Sequence, residues 1–172
     1  MQSPEKMQEH LVEWLRDAHA AERQAKTMLS GTADRLERYP QFSAGLRQHS
    51  EQSGRHADEL ERCLTQLGEN TSMVKQITGQ VTAFGQTLSG LVVGDEVIKA
   101  GLAISTYAEM EISSYRILIA AANACGAAQA ASACQRLLDE KIEFHHWVEQ
   151  QLPALTEEYL RRDQMASSSA AP

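Results

Sequence analysis

The sequence predicts an all-α fold, an antiparallel four-helix bundle with a long crossover that carries a short extra helix. Three observations predict it. Apolar residues recur at three- and four-residue steps through four long segments, the spacing of a single helix face. The composition is rich in Ala, Leu, Glu and Gln, with only 5% aromatic residues, and all four are good helix formers. The breaks between segments hold residues that stop helices, namely Tyr39-Pro40, Gly68 and Gly126.

The first helix is expected from about Ser3, with Pro4 in its first turn, to just before Tyr39-Pro40. Its stripe is Leu11, Leu15, Ala18, Glu22, Ala25 and Leu29. The second runs from about Phe42 to Leu67, with Leu46, His49, Ser53, His56, Leu60 and Leu64 on one face, and is stopped by Gly68 and Asn70. Residues 71–88 hold Gly79 and Gly85 and show weak periodicity, which suggests the crossover and its short helix. The third helix starts near Ser89 or Asp95 and ends at Ala124, through Val97, Ile104, Tyr107, Glu111, Ser114, Leu118 and Ala121. The fourth runs from Ala127 to at least Gln151, through Ala133, Leu137, Glu140, Phe144 and Trp147. Pro153 is expected to kink it or to start a new segment ending near Arg162. Residues 1–162 then form one domain, and the low-complexity stretch 163–172 reads as a disordered tail.

Bulk properties narrow the function classes. At 172 residues and 19.0 kDa the chain is long enough for one sizeable core. The net charge of −7 and the lack of a Lys/Arg cluster argue against nucleic acid as a partner. No apolar run approaches the roughly 20 residues of a membrane span. The opening residues lack a signal-peptide core, so a cytoplasmic location is expected. Cys63, Cys125 and Cys134 are odd in number, lack CxxC spacing and read as small core residues of a reduced protein. There is no phosphate-binding glycine loop, no GxSxG and no framed Ser/His/Asp set, so enzyme chemistry without a metal has no support.

The informative residues are acidic. Glu22, Glu111 and Glu140 fall on the apolar stripes of three different helices. A charge facing a core is costly unless paired, and three acids cannot pair with one another. In a four-helix bundle the usual compensator is a metal pair held by inward Glu and His. The expected ligands are then Glu22, His56, Glu111 and Glu140, and the mixed oxygen and nitrogen donors suit iron or manganese. No Glu-x-x-His pair of such sites falls on the expected faces here: Ser53 stands three residues before His56, and Glu143 three after Glu140. Each candidate also has an ordinary reading. Glu22 could pair with Arg23 or Lys26, His56 could be a hydrogen-bonded core residue, Glu111 could meet Tyr107 or Tyr115, and Glu140 could meet Arg136. His19 lies one step off the stripe and is expected to be exposed.

Several stretches resemble the ferritin-like YciE/YciF-type bacterial stress-protein family. They are Leu15-Arg-Asp-Ala-His-Ala-Ala-Glu22-Arg-Gln, His49-Ser-Glu-Gln-Ser-Gly-Arg with Leu60-Glu-Arg-Cys-Leu64, and Gly94-Asp-Glu-Val-Ile-Lys99. Met110-Glu-Ile-Ser-Ser-Tyr-Arg116, Ala124-Cys-Gly126 and Trp147-Val-Glu-Gln-Gln-Leu-Pro-Ala-Leu-Thr156 complete the set. They follow the family's order from about residue 8 to 160. The resemblance implies a ferritin-like fold with a short extra helix, a homodimer, a role in stress responses and a di-metal site. It matches Glu22, Glu111 and Glu140 to the family's inward carboxylates. The sequence departs from the family at Gln52 and Ala108, both usually Glu, and Glu109 stands where other members often have His. Two lost carboxylates imply a degenerate or weak site, hence a stress-associated protein that leans away from catalysis. The alternatives are an active di-iron ferroxidase or peroxide scavenger, and a purely structural or interaction dimer with an unidentified protein partner. Gly101 and Ala120 to Ala122 offer small residues for close helix approach in that last case.

Overall fold

The computed structural model describes residues 4–70 and 95–169, all of them in four helices and the turns at their ends. Helix α1 spans Pro4–Arg35, α2 Pro40–Gln66, α3 Glu96–Ala124 and α4 Ala128–Ser169. The expected crossover and its short helix lie outside the described residues.

Local chemistry sets the boundaries. Between α1 and α2 the chain turns at Tyr39, and Pro40 opens α2 where its missing N–H costs nothing. After α2, Gly68 adopts φ +96°, and the Glu69 N–H donates to Leu64 O at 3.0 Å. After α3, Gly126 adopts φ +70°, and Ala127 N–H donates to Ala122 O at 2.8 Å. Both closures cap orphan carbonyls with a left-handed glycine.

The helices pack as two antiparallel hairpins, α1 with α2 and α3 with α4. Arg16 on α1 pairs with Glu69 just beyond α2, whereas Arg35 at the far end of α1 donates to Glu96 at the start of α3 at 2.7 Å. The chain therefore leaves α2 at one end of the bundle and enters α3 at the other. That is the crossover topology of the expected fold.

The core is in two pieces. One cluster holds Leu11, Leu15, Leu60, Leu64, Leu118 and Leu137, and the other Leu29, Phe42, Leu46, Ile104, Phe144 and Val148. On every helix the stretch between the two pieces buries a polar or charged side chain: Glu22 on α1, Ser53 and His56 on α2, Glu111 on α3, Lys141 on α4. The bundle is thus two apolar plugs with a charged layer between them.

Pro153 lies inside one continuous helix, not at the start of a new segment, and that helix runs on through residues 163–169, the stretch expected as tail, with every side chain exposed. Pro153 removes one N–H donor, which the chain tolerates because it is itself exposed, while Leu152 and Leu155 still pack on the second cluster.

Candidate functional site: a charged layer in the bundle core

Glu22 and Glu111 are buried at 1% and 3% exposure, as their stripes predict, and His56 is buried beside them. Glu140 is not. Its side chain is 44% exposed, and the buried residue of that turn is Lys141, at 2%. The inward stripe of α4 is Ala133, Cys134, Leu137, Leu138, Lys141, Phe144 and Val148; it keeps Ala133, Leu137 and Phe144 as expected but exchanges Glu140 for Lys141 and Trp147 for Val148, each one residue, or about 100°, further round. Apolar periodicity does not single out Lys141. The charge problem itself does signal it, since acids on separate stripes call for a cation and Lys141 stands next to Glu140.

Lys141 Nζ is the centre of the layer. It donates to Glu22 Oε2 at 2.9 Å, to both Glu111 oxygens at 3.0 Å, and to Ser53 Oγ at 3.4 Å. Glu22 gains two further partners. Tyr115 OH donates to its Oε1 at 2.6 Å, and His56 Nδ1 lies 3.2 Å from the same oxygen. The other ring nitrogen, Nε2, is 2.9 Å from Glu140 Oε2, which also accepts from the Gln52 amide. Both imidazole nitrogens face carboxylate oxygens, and only the doubly protonated ring donates to both.

The ordinary readings of these residues are sorted by this geometry. Tyr115 bonds Glu22, not Glu111, and Tyr107 donates to the Ala21 carbonyl at 2.9 Å. Arg136 pairs with Glu59 instead of Glu140. His19, expected at the surface, is buried at 2%, and its Nδ1 has no hydrogen-bond partner among the described residues. Gln52, in the position of an expected Glu, bridges His49 Nδ1 at 2.7 Å and Glu140.

The electrostatics follow from one ammonium facing two buried carboxylates. Burial pushes the Glu22 carboxyl up, but the Lys141 charge, the His56 contact and the Tyr115 hydroxyl outweigh it and bring it to about 2. Burial raises Glu111 to about 8, with Lys141 opposing and the Glu22 charge adding to the rise. Burial pulls Lys141 down, yet its two carboxylate partners hold it above the ordinary lysine value. Lys141 and Glu22 thus form the ionised pair, and Glu111 holds a proton more readily than a free acid.

The arrangement defines a class, a ferritin-like four-helix bundle with inward acids midway along it. The chain belongs to the family described as a domain of unknown function, DUF892, whose pattern matches residues 6–161. The crystal structure of a protein from Xanthomonas campestris pv. campestris is 31% identical and superposes with a TM-score of 0.79, over 92% of this chain and 99% of that one. A bacterioferritin of Desulfovibrio desulfuricans, whose structure is described with a diiron site, is 17% identical with a TM-score of 0.74, over 91% of this chain and 86% of that one. At that identity the likeness shows the fold.

A ferritin-like fold raises the question of whether these residues fit a metal pair. They do not fit one as arranged. The point where the carboxylates converge is occupied by the Lys141 ammonium, and an ion beside it would meet a like charge at contact distance. Among the described residues no three His, Cys, Asp or Glu side chains surround a common ion position. His56 points its two nitrogens at two different carboxylates instead of at a shared centre.

Proposed function

We propose that this protein is a stress-associated member of the ferritin-like group, of the YciE/YciF type, whose carboxylate layer is neutralised from within and does not work as a di-iron centre. One observation carries the reading: the Lys141 ammonium sits within 3.0 Å of Glu22 and of both Glu111 oxygens. A buried cation held by two acids does structurally what a metal does for a metallated bundle, in that it compensates inward charge. It supplies neither open coordination positions nor redox chemistry. The output of the fold then rests on its surface.

A homodimer is the proposed assembly, supported by the resemblance and by exposed Leu102, Ile117 and Ile142 on α3 and α4, aliphatic side chains that a second copy would cover. A reducing, cytoplasmic setting suits three unbridged cysteines. No helix among the described residues is long and apolar enough to cross a membrane.

The test is elemental analysis of purified, tag-free protein after anaerobic incubation with excess Fe(II) and desalting. Iron far below one per chain, with no oxygen consumption on aeration, is the expected result. About two irons per chain, lost in Glu22→Gln, would replace this reading with the ferroxidase alternative.

A further inference from the structure

One cavity lies apart from the charged layer. It opens at the end of the bundle where α1 turns into α2 and where α3 begins, and it holds about 370 Å3, within the range of small-molecule pockets, about 300–1,000 Å3. In a chain of net charge −7 its lining carries three guanidiniums, Arg35, Arg38 and Arg162, against two carboxylates, Glu96 and Asp163. Two rings, Tyr39 and Tyr159, stand in the same walls. We propose that this cavity binds a small organic phosphate monoester that carries a planar ring, a nucleoside monophosphate in kind, with its phosphoryl group on the three arginines and its ring against the tyrosines. Such a site is independent of what fills the carboxylate layer.

Two of the arginines are held ready. Arg35 Nε donates to Glu96 at 2.7 Å, its Nη1 to the Gly31 carbonyl at 3.1 Å and its Nη2 to Thr32 Oγ1 at 3.4 Å. Arg162 Nη2 donates to the Arg38 carbonyl at 2.8 Å and its Nε to Glu158 at 3.0 Å, with the guanidinium 5.0 Å over the Tyr39 ring. A guanidinium has five N–H donors, so both keep some to spare. Arg38 keeps all of its own, because its side chain makes no hydrogen bond or ion pair among the described residues. Glu96 is thus paired with Arg35 and Glu158 with Arg162, while the exposed Asp163 pairs with none of the three. A phosphoryl group presents three oxygens to three such donors where a carboxylate presents two, and the guanidinium fork matches it bidentately. Burial raises the Tyr39 hydroxyl above its ordinary value, and Arg162, Glu158, Tyr159 and Arg38 are all near enough to act on it. The rings and two of the cations therefore share one space. Tyr159 packs on the second core cluster and still lines the cavity, a fixed platform on which a planar ring stacks.

The experiment is calorimetric titration of the full chain with adenosine 5′-monophosphate, adenosine and inorganic phosphate, on wild type, Arg38→Ala and Arg62→Ala. Arg38→Ala removes an exposed side chain, so its melting temperature should match wild type and a loss of binding is local. Arg62→Ala removes the same charge near the opposite end of α2. The expected result is one monophosphate per chain with a Kd below about 1 mM, weakened at least tenfold in Arg38→Ala and unchanged in Arg62→Ala. Adenosine and inorganic phosphate should each bind wild type at least tenfold more weakly than the monophosphate. No saturable binding of the monophosphate overturns the proposal. Equal loss in both variants overturns it too, since that marks diffuse attraction to positive charge. Adenosine binding as tightly as its monophosphate overturns the phosphoryl contact, and inorganic phosphate binding as tightly overturns the ring contact. None of these outcomes bears on iron content, so this site and the reading of the charged layer stand or fall separately.

Discussion

Glu22 and Glu111 share one ammonium and respond to pH in opposite senses. The folded Glu22 value of about 2 lies below its ordinary 4.5. Its contribution is therefore present above pH 4.5 and lost as pH falls through 2, and the shift corresponds to about 3 kcal/mol for this fully buried group. Glu111, raised from 4.5 to about 8, binds its proton more tightly when folded. Its contribution is present below pH 4.5 and is lost as pH rises through 8. Wild-type stability should accordingly decline between about pH 5 and 8, and Glu111→Gln, which keeps a neutral side chain of the same shape, should flatten that decline. Urea midpoints at three pH values check this, and an unchanged slope would place the proton elsewhere. Lys141→Met removes the ammonium that pairs with the ionised Glu22 carboxylate and should cost about 3–5 kcal/mol at neutral pH, as breaking a buried ion pair does. The loss should shrink as pH falls below neutral, because Glu22 without the ammonium takes up a proton more readily.

At the scale of the helix, two glycines that look alike in the sequence differ in what surrounds them. A Cβ on Gly45 of α2 would stand 2.1 Å from Trp147 Cζ2, a rigid ring stacked on Phe42. A Cβ on Gly101 of α3 would meet only the end of Leu152 at 2.7 Å, a side chain that can turn away. Gly45→Ala should cost about 1–3 kcal/mol through overpacking, whereas Gly101→Ala should be near neutral in thermal melts. Gly101 thus serves the approach of α3 to α4 within one chain. The end of α4 offers a second contrast. Arg162 donates to the Arg38 carbonyl at 2.8 Å and lies over the Tyr39 ring, which ties the helix to the α1–α2 turn. Residues 163–169 are exposed throughout. Ending the chain after Arg162 should leave the melting temperature unchanged, while Arg162→Ala should lower it by a few degrees.

For the whole molecule, assembly and metal content are separate questions. Light scattering on a sizing column should return about twice the 19.0 kDa chain mass if the proposed dimer forms, and Leu102→Glu with Ile117→Glu should return the monomer. A monomeric wild type would remove the assembly part of the proposal and leave the charged core as it is. Because Lys141 is tethered, the core should also be indifferent to chelators. Melting with and without EDTA should coincide, in contrast to a bundle whose inward acids depend on a bound ion.

Much of this protein was decided by its sequence alone. Four helices, their order, the stops at Pro40, Gly68 and Gly126, and the burial of Glu22, His56 and Glu111 all follow from periodicity and turn chemistry, which are local. What remained open was rotation. A helix face is known from its pattern only to about one residue, and on α4 one residue exchanges Glu140 for Lys141. Apolar periodicity could not choose between two charged neighbours. It left open whether Pro153 lies within the helix or starts a new segment, because intrinsic preference argues for a break where packing of Leu152 and Leu155 holds the helix together. Only the tertiary structure brings an α1 acid and an α3 acid within 3.0 Å of an α4 lysine. The sign of the charge that fills the core is a property of three helices together, and none of them contains it alone.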